Sequence, residues 1–167
     1  GSIKVVKYLI EQLQANVETR DIDGCTPLHL ASGDGHIEVV KYLIEHCHVT
    51  AQVNDRYKRT PLHLASHRGF IEVIRYLIEE CHANVEAKDS QKKTPLHYAS
   101  ERGLIEVVQY LIEECHANPE AKDKYGHTPL YFAKSDEDNF KVVDYLIEQC
   151  HATNEYGPPS DSDSSEN

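Results

Sequence analysis

Apolar residues near the middle of the chain fall at helical intervals. Ile71, Ile74, Leu77, Ile78 and Cys81 line one side of a helix whose other side carries Glu72, Arg75, Glu79 and Glu80. A shorter apolar stretch precedes it, Leu62, Leu64 and Ala65, opened by Thr60-Pro61 and closed by Gly69. Threonine before proline predicts a helix start, because the hydroxyl can cap free amides and proline is preset for the first helical position. Gly69 predicts a left-handed stop. Polar residues from His82 to Lys93, with Asn84, Asp89 and Ser90 as turn formers, return the chain to another Thr-Pro. The predicted unit is helix, turn, longer amphipathic helix, exposed loop.

That unit recurs every 34 residues. Thr26-Pro27-Leu28-His29, Thr60-Pro61-Leu62-His63 and Thr94-Pro95-Leu96-His97 are in phase, and Thr128-Pro129-Leu130-Tyr131 follows with its fourth place altered. Gly35 and Gly103 match Gly69, and Tyr8, Tyr42, Tyr76, Tyr110 and Tyr145 mark the second helices. A fixed period of this size implies a stacked array in which each unit buries its apolar face on its neighbours. Function is then expected on an extended surface, and the residues that keep the period are scaffold.

The pattern resembles the ankyrin repeat. Its Thr-Pro-Leu-His helix start, its Gly-His-x-Glu-Val-Val second helix (Gly35-His36-Ile37-Glu38-Val39-Val40) and its Asp-x-x-Gly finger (Asp21-Ile22-Asp23-Gly24) all stand in this chain. The resemblance implies an all-α solenoid of stacked helix-turn-helix units with hairpin finger loops. It also implies that His29, His63 and His97 are buried imidazoles bonded to backbone or to the next unit. Each unit is one residue longer than the usual 33, and Cys81-His82-Ala83-Asn84 stands where the family has Gly-Ala-Asp. Asn16, Asn84 and Asn118 are the residues expected to take the left-handed conformation there.

Residues 3–154 are expected to form the repeat domain, with Gly1-Ser2 outside the pattern as a cleavage scar. Residues 3–25 align on a second helix and its finger, so the segment opens as a half repeat of an excised array. Full repeats follow at 26–59, 60–93 and 94–127, then a divergent last one at 128–154, where Lys134 to Asn139 replaces the glycine turn and adds a residue. Residues 155–167 form an acidic Ser/Asp-rich tail, disordered on composition.

Composition narrows the chemistry. No apolar run reaches the roughly 18–20 residues of a membrane helix and there is no signal-peptide stretch, so an intracellular, cytoplasmic protein without membrane contact is expected. Four of the five cysteines, Cys47, Cys81, Cys115 and Cys150, repeat in phase, which marks a packing position rather than a disulfide framework. Their adjacency to His48, His82, His116 and His151 suggests zinc, but equivalent places in stacked helices lie about 8–10 Å apart, beyond the reach of one metal. No phosphate loop or nucleophile elbow is present. No cofactor, metal or catalytic activity is expected.

The positions that break the period carry the functional reading. In the resembled family these are the finger residues and the two residues before the turn glycine, which line a concave groove. Mapped here they include Arg20, Ile22, Asp23, Cys25, Gly33 and Asp34, then Asn54 and His67, then Ser90 and Glu101. The partner-binding set is Arg56, Tyr57, Arg59, Arg68, Lys88, Gln91, Lys93, Arg102, Lys122 and Tyr125. Most of the 17 Lys and Arg lie on or beside the fingers, whereas the second helices carry Glu38, Glu45, Glu72, Glu79, Glu80, Glu106, Glu113 and Glu114. A chain of net charge −11 thus offers a basic groove and an acidic back.

The expected partner is a protein with an acidic or phosphorylated peptide segment, paired with arginine forks and packed on Tyr57. In a narrower version the tail, with Asp161, Asp163 and Glu166 and a Ser160 placed for an acidophilic kinase, docks in the groove of a second copy. Two other readings differ in class: a scaffold segment that self-associates through its cut end, and a binder of RNA or another anionic polymer. Net charge and the scarcity of finger aromatics, Tyr57 and Tyr125, argue against nucleic acid.

Overall fold

Proline occupies the first turn of four helices, and the threonine before each is extended. The computed structural model describes residues 2–148, 150 and 151, and these helices alternate there with a second set. In chain order they are α1 (Ile3–Glu11), α2 (Pro27–Gly33), α3 (Ile37–Glu45), α4 (Pro61–Arg68), α5 (Ile71–Arg75), α6 (Pro95–Glu101), α7 (Ile105–Gln109), α8 (Pro129–Ala133) and α9 (Phe140–Glu148). The even-numbered helices pack side by side as one layer, each against its odd-numbered partner in the other. Between the layers Leu28, Leu62, Leu96 and Leu130 meet Leu43, Leu77, Leu111 and Leu146, all buried. The expectation of a helical stack with one continuous core holds.

Each first helix ends as its glycine predicts. Gly35, Gly69 and Gly103 have φ of 72°, 80° and 65°. At Gly103 space is as decisive as conformation, because a Cβ would collide with the side chain of Asn139. That asparagine belongs to the polar segment of the last unit. A 3-10 turn at Glu137–Asn139, capped by the Asp136 side chain, buries Asn139 so that its Nδ2 donates to the Glu101 carbonyl at 3.1 Å. The divergent insertion is therefore docked on the preceding unit.

The second helices end differently from expectation. After α5 the chain continues as a π turn, Tyr76–Glu80, and after α7 as Tyr110–Glu114. The Cys81 amide donates to the Tyr76 carbonyl at 3.3 Å and the Ala83 amide to the Leu77 carbonyl at 2.9 Å, so the extra residue of the 34-residue unit widens the final turn. The left-handed residues are Gln14, His48, His82, His116 and His151, with φ between 52° and 55°, and not the asparagines. The reason is visible in the next turn. Asn16, Asn84 and Asn118 use their side-chain oxygens to accept the amides of Glu18, Glu86 and Glu120, at 2.9 Å each, which makes them turn formers one step later.

Candidate functional site

The repeated histidines tie each first helix to the next finger. Nδ1 of His63 accepts from the amide of Thr60 at 3.0 Å, which places the ring proton on Nε2, and Nε2 donates to the Lys93 carbonyl at 3.2 Å. His29 and His97 repeat the arrangement toward the carbonyls of Arg59 and His127. All three rings are fully buried, and burial holds their titration below the ordinary histidine range, with His97 at about 4. Both nitrogens of each imidazole are therefore occupied by hydrogen bonds within the fold.

The fingers hang on buried aspartates. Oδ1 of Asp55 accepts the amides of Tyr57 and Arg59, each at 2.8 Å, and Asp89 and Asp123 do the same for their own loops. The second oxygen takes a partner that varies by unit: Nε of Arg59 on Asp55 at 2.7 Å and the hydroxyl of Tyr98 on Asp89 at 2.8 Å. Adjacent fingers are joined through the backbone, with the amides of Arg56, Ser90 and Lys124 donating to the carbonyls of Asp23, Tyr57 and Gln91 at 2.7–2.9 Å. Lys58 and Lys92 hold positive φ of 60° and 62° where other fingers have Gly24 and Gly126.

This frame divides the predicted partner-binding residues. Arg59 is committed to Asp55, whose carboxylate is inaccessible, and its guanidinium lies 5.0 Å from the centre of the Tyr57 ring. Lys93 pairs with Glu101 at 3.1 Å and sits 3.8 Å from the centre of the Phe132 ring. Arg20, from the wider groove set, donates to the carbonyls of Gly24 and Asn54. Cys25 is buried, with its thiol 3.8 Å from Asp55, and so leaves the groove surface assigned to it by its place in the finger. Arg56, Arg68, Lys88, Gln91, Arg102 and Lys122 are exposed, and none of these cations makes an ion pair among the described residues. Tyr57 and Tyr125 are 44% and 66% exposed.

Arg68 and Arg102 both act on the charge of His67. Its imidazole is held below the ordinary range first by burial and then by the Arg102 guanidinium, with Arg68 and Arg59 adding in the same direction and Glu101 opposing. The site is thus a set of cations carried on a hydrogen-bonded frame. Burial also pushes the five thiols up, which keeps them protonated at neutral pH. Among the described residues no three His, Cys, Asp or Glu side chains are grouped to hold a metal.

A family model for ankyrin repeats in three copies matches residues 1–89 and 81–156. The chain belongs to the ankyrin repeat family. Ankyrin repeats are in general protein–protein interaction modules and typically not enzymes. Comparison with curated proteins finds no match. No helix among the described residues is long and apolar enough to cross a membrane.

Two features of this ankyrin array were missed by sequence reasoning. The repeated tyrosines of the second helices are rungs between units: Tyr42, Tyr76, Tyr110 and Tyr145 donate to Glu11, Glu45, Glu79 and Glu113, each at 2.9 Å. The acidic back is therefore partly a hydrogen-bonded ladder. The constant offset of 31 or 32 residues between Tyr and Glu was the available signal. The altered fourth place in the last unit is the other feature, because Tyr131 stacks on His127 with ring centres 3.7 Å apart. The acidic tail, its docking in a second copy and the Ser160 site all lie outside the described residues.

Proposed function

We propose that the protein binds an acidic or phosphorylated peptide along the face formed by the fingers and first helices of its third and fourth units. The observation that carries this reading is the division among the cations. Arg20, Arg59 and Lys93 are used within the fold, whereas Arg56, Arg68 and Arg102 are exposed without carboxylate partners in a chain of net charge −11. Exposed guanidiniums of like charge on one face offer an anionic ligand charge-assisted hydrogen bonds. The joined fingers fix the backbone that carries Arg56, and α4 and α6 fix the backbone that carries Arg68 and Arg102, which lowers the ordering cost of binding.

The test is a triple substitution, Arg56→Gln, Arg68→Gln and Arg102→Gln, assayed with a fluorescein-labelled phosphoserine peptide rich in glutamate. Arg59 is excluded because its loss leaves the buried Asp55 oxygen without its cation. Affinity falls at least tenfold in the variant, and single-stranded RNA of equal charge does not displace the peptide. Unchanged affinity, or RNA displacing the peptide as well as unlabelled peptide does, contradicts the reading.

A further inference from the structure

The eighth residue after each repeat threonine falls at the end of the first helix in three units, and three residues beyond the end of α8 in the last. Read along the stack these residues are Asp34, Arg68, Arg102 and Asp136, a row of sign minus, plus, plus, minus. Asp34 and Arg102 directly cap α2 and α6, Arg68 closes α4, and Asp136 caps the 3-10 turn that follows α8. All four are exposed. Glu101, which precedes Arg102 in the chain, pairs with Lys93 at 3.1 Å. Asp34 stands against the local field, since the carboxyl end of a helix favours cations.

We infer that this row is a charge register: it selects a peptide in polyproline II conformation that carries two anionic side chains three residues apart, one on Arg68 and one on Arg102. The inference rests on the reading of the protein as a binder of acidic peptides and adds the spacing and the boundaries of the ligand. Helices α4 and α6 pack as neighbours, and packed helices lie about 8–10 Å apart. A polyproline II chain has three residues per turn and rises about 3.1 Å per residue, so its side chains return to the same face after about 9 Å. A β-strand cannot satisfy the same pair, because its residues i and i+3 face opposite ways. Spacings of two and four residues reach about 6 Å and 12 Å and turn away from the row.

The ends of the row set the limits of the ligand. Asp34 on one side and Asp136 on the other repel a third acidic group placed three residues beyond either member of the pair. A ligand of uniform acidity is disfavoured relative to one whose two anions are flanked by neutral or basic residues. Such discrimination through repulsion is a means of specificity that affinity alone does not supply.

The test uses fluorescein-labelled peptides in which two phosphoserines are separated by two, three or four positions in an otherwise neutral, proline-containing sequence, measured by fluorescence anisotropy. The wild-type chain binds the three-position peptide at least fivefold more tightly than the others, and Arg68→Gln or Arg102→Gln abolishes the preference. Asp34→Lys, a gain-of-function variant, tightens binding of a peptide with a third phosphoserine three residues beyond the Arg68 member by at least threefold. Circular dichroism establishes that each variant is folded. Equal affinity for all three spacings, or no gain in Asp34→Lys, overturns the register while leaving the acidic-peptide reading in place. Absence of binding to every phosphopeptide overturns both.

Discussion

His29, His63 and His97 each use one ring nitrogen to cap their own helix and the other to hold the next finger, and this fixes how stability responds to acid. The unfolded histidine titrates near 6.5 and folded His97 near 4, so the unfolded state takes up the proton first as pH falls. Stability is fully present above about pH 6.5 and is lost between there and about pH 4, on the order of 3 kcal/mol for His97. His29 and His63 add loss of the same sign. Urea midpoints at pH 7.5 and pH 5 measure it, and His97→Gln is less stable at both values but shows a smaller difference between them. A second residue-scale prediction concerns Ser32, Ser66 and Ser100, whose buried hydroxyls have no hydrogen-bond partner among the described residues. Ser66→Ala raises stability by about 1 kcal/mol, because a desolvated and unpaired polar group is removed. At this scale the sequence reading succeeded for the histidines, through their repeated motif. It did not foresee the ion pairs of Arg59 and Lys93, since a cation in a polar loop reads the same whether it faces solvent or a carboxylate four or eight residues away.

The helices and fingers show what one additional residue per unit does. Widening the last turn of α5 and α7 leaves the chain needing a left-handed residue, and His82 and His116 supply it at the cost of contact between Cβ and the carbonyl. His82→Gly removes that strain and gains about 0.5–1 kcal/mol after the added freedom of unfolded glycine is counted, read as a higher urea midpoint. The asparagines had been favoured by general preference, but their side chains were required by the following turn. Preference alone could not rank two adjacent turns competing for the same residue. The second helices are linked sideways by the tyrosine rungs. Tyr110→Phe costs about 1 kcal/mol, since Glu79 keeps its partner Arg75 at 3.2 Å and is not stranded.

Across the whole molecule, the period that defines the ankyrin stack also separates scaffold from surface. The order of helices, the glycine stops and the apolar core were legible because each recurs in phase, and recurrence at 34 residues admits few other architectures. The proposed binding face was legible only as a bias of charge toward the fingers. Which cations remain available depended on the hydrogen bonds that each unit makes differently, and those differences are what repetition hides. The unpaired Arg56, Arg68 and Arg102 on a rigid frame are the basis for assigning the protein an acidic peptide partner. The most direct measurement is calorimetric titration of a doubly phosphorylated peptide into the wild-type chain and into the Arg56→Gln, Arg68→Gln, Arg102→Gln variant at about 0.15 M salt, where exposed charges more than about 8 Å apart are screened. Binding to the wild type that weakens at least tenfold in the folded variant is the predicted result, and equal binding to both, or none to the wild type, contradicts it.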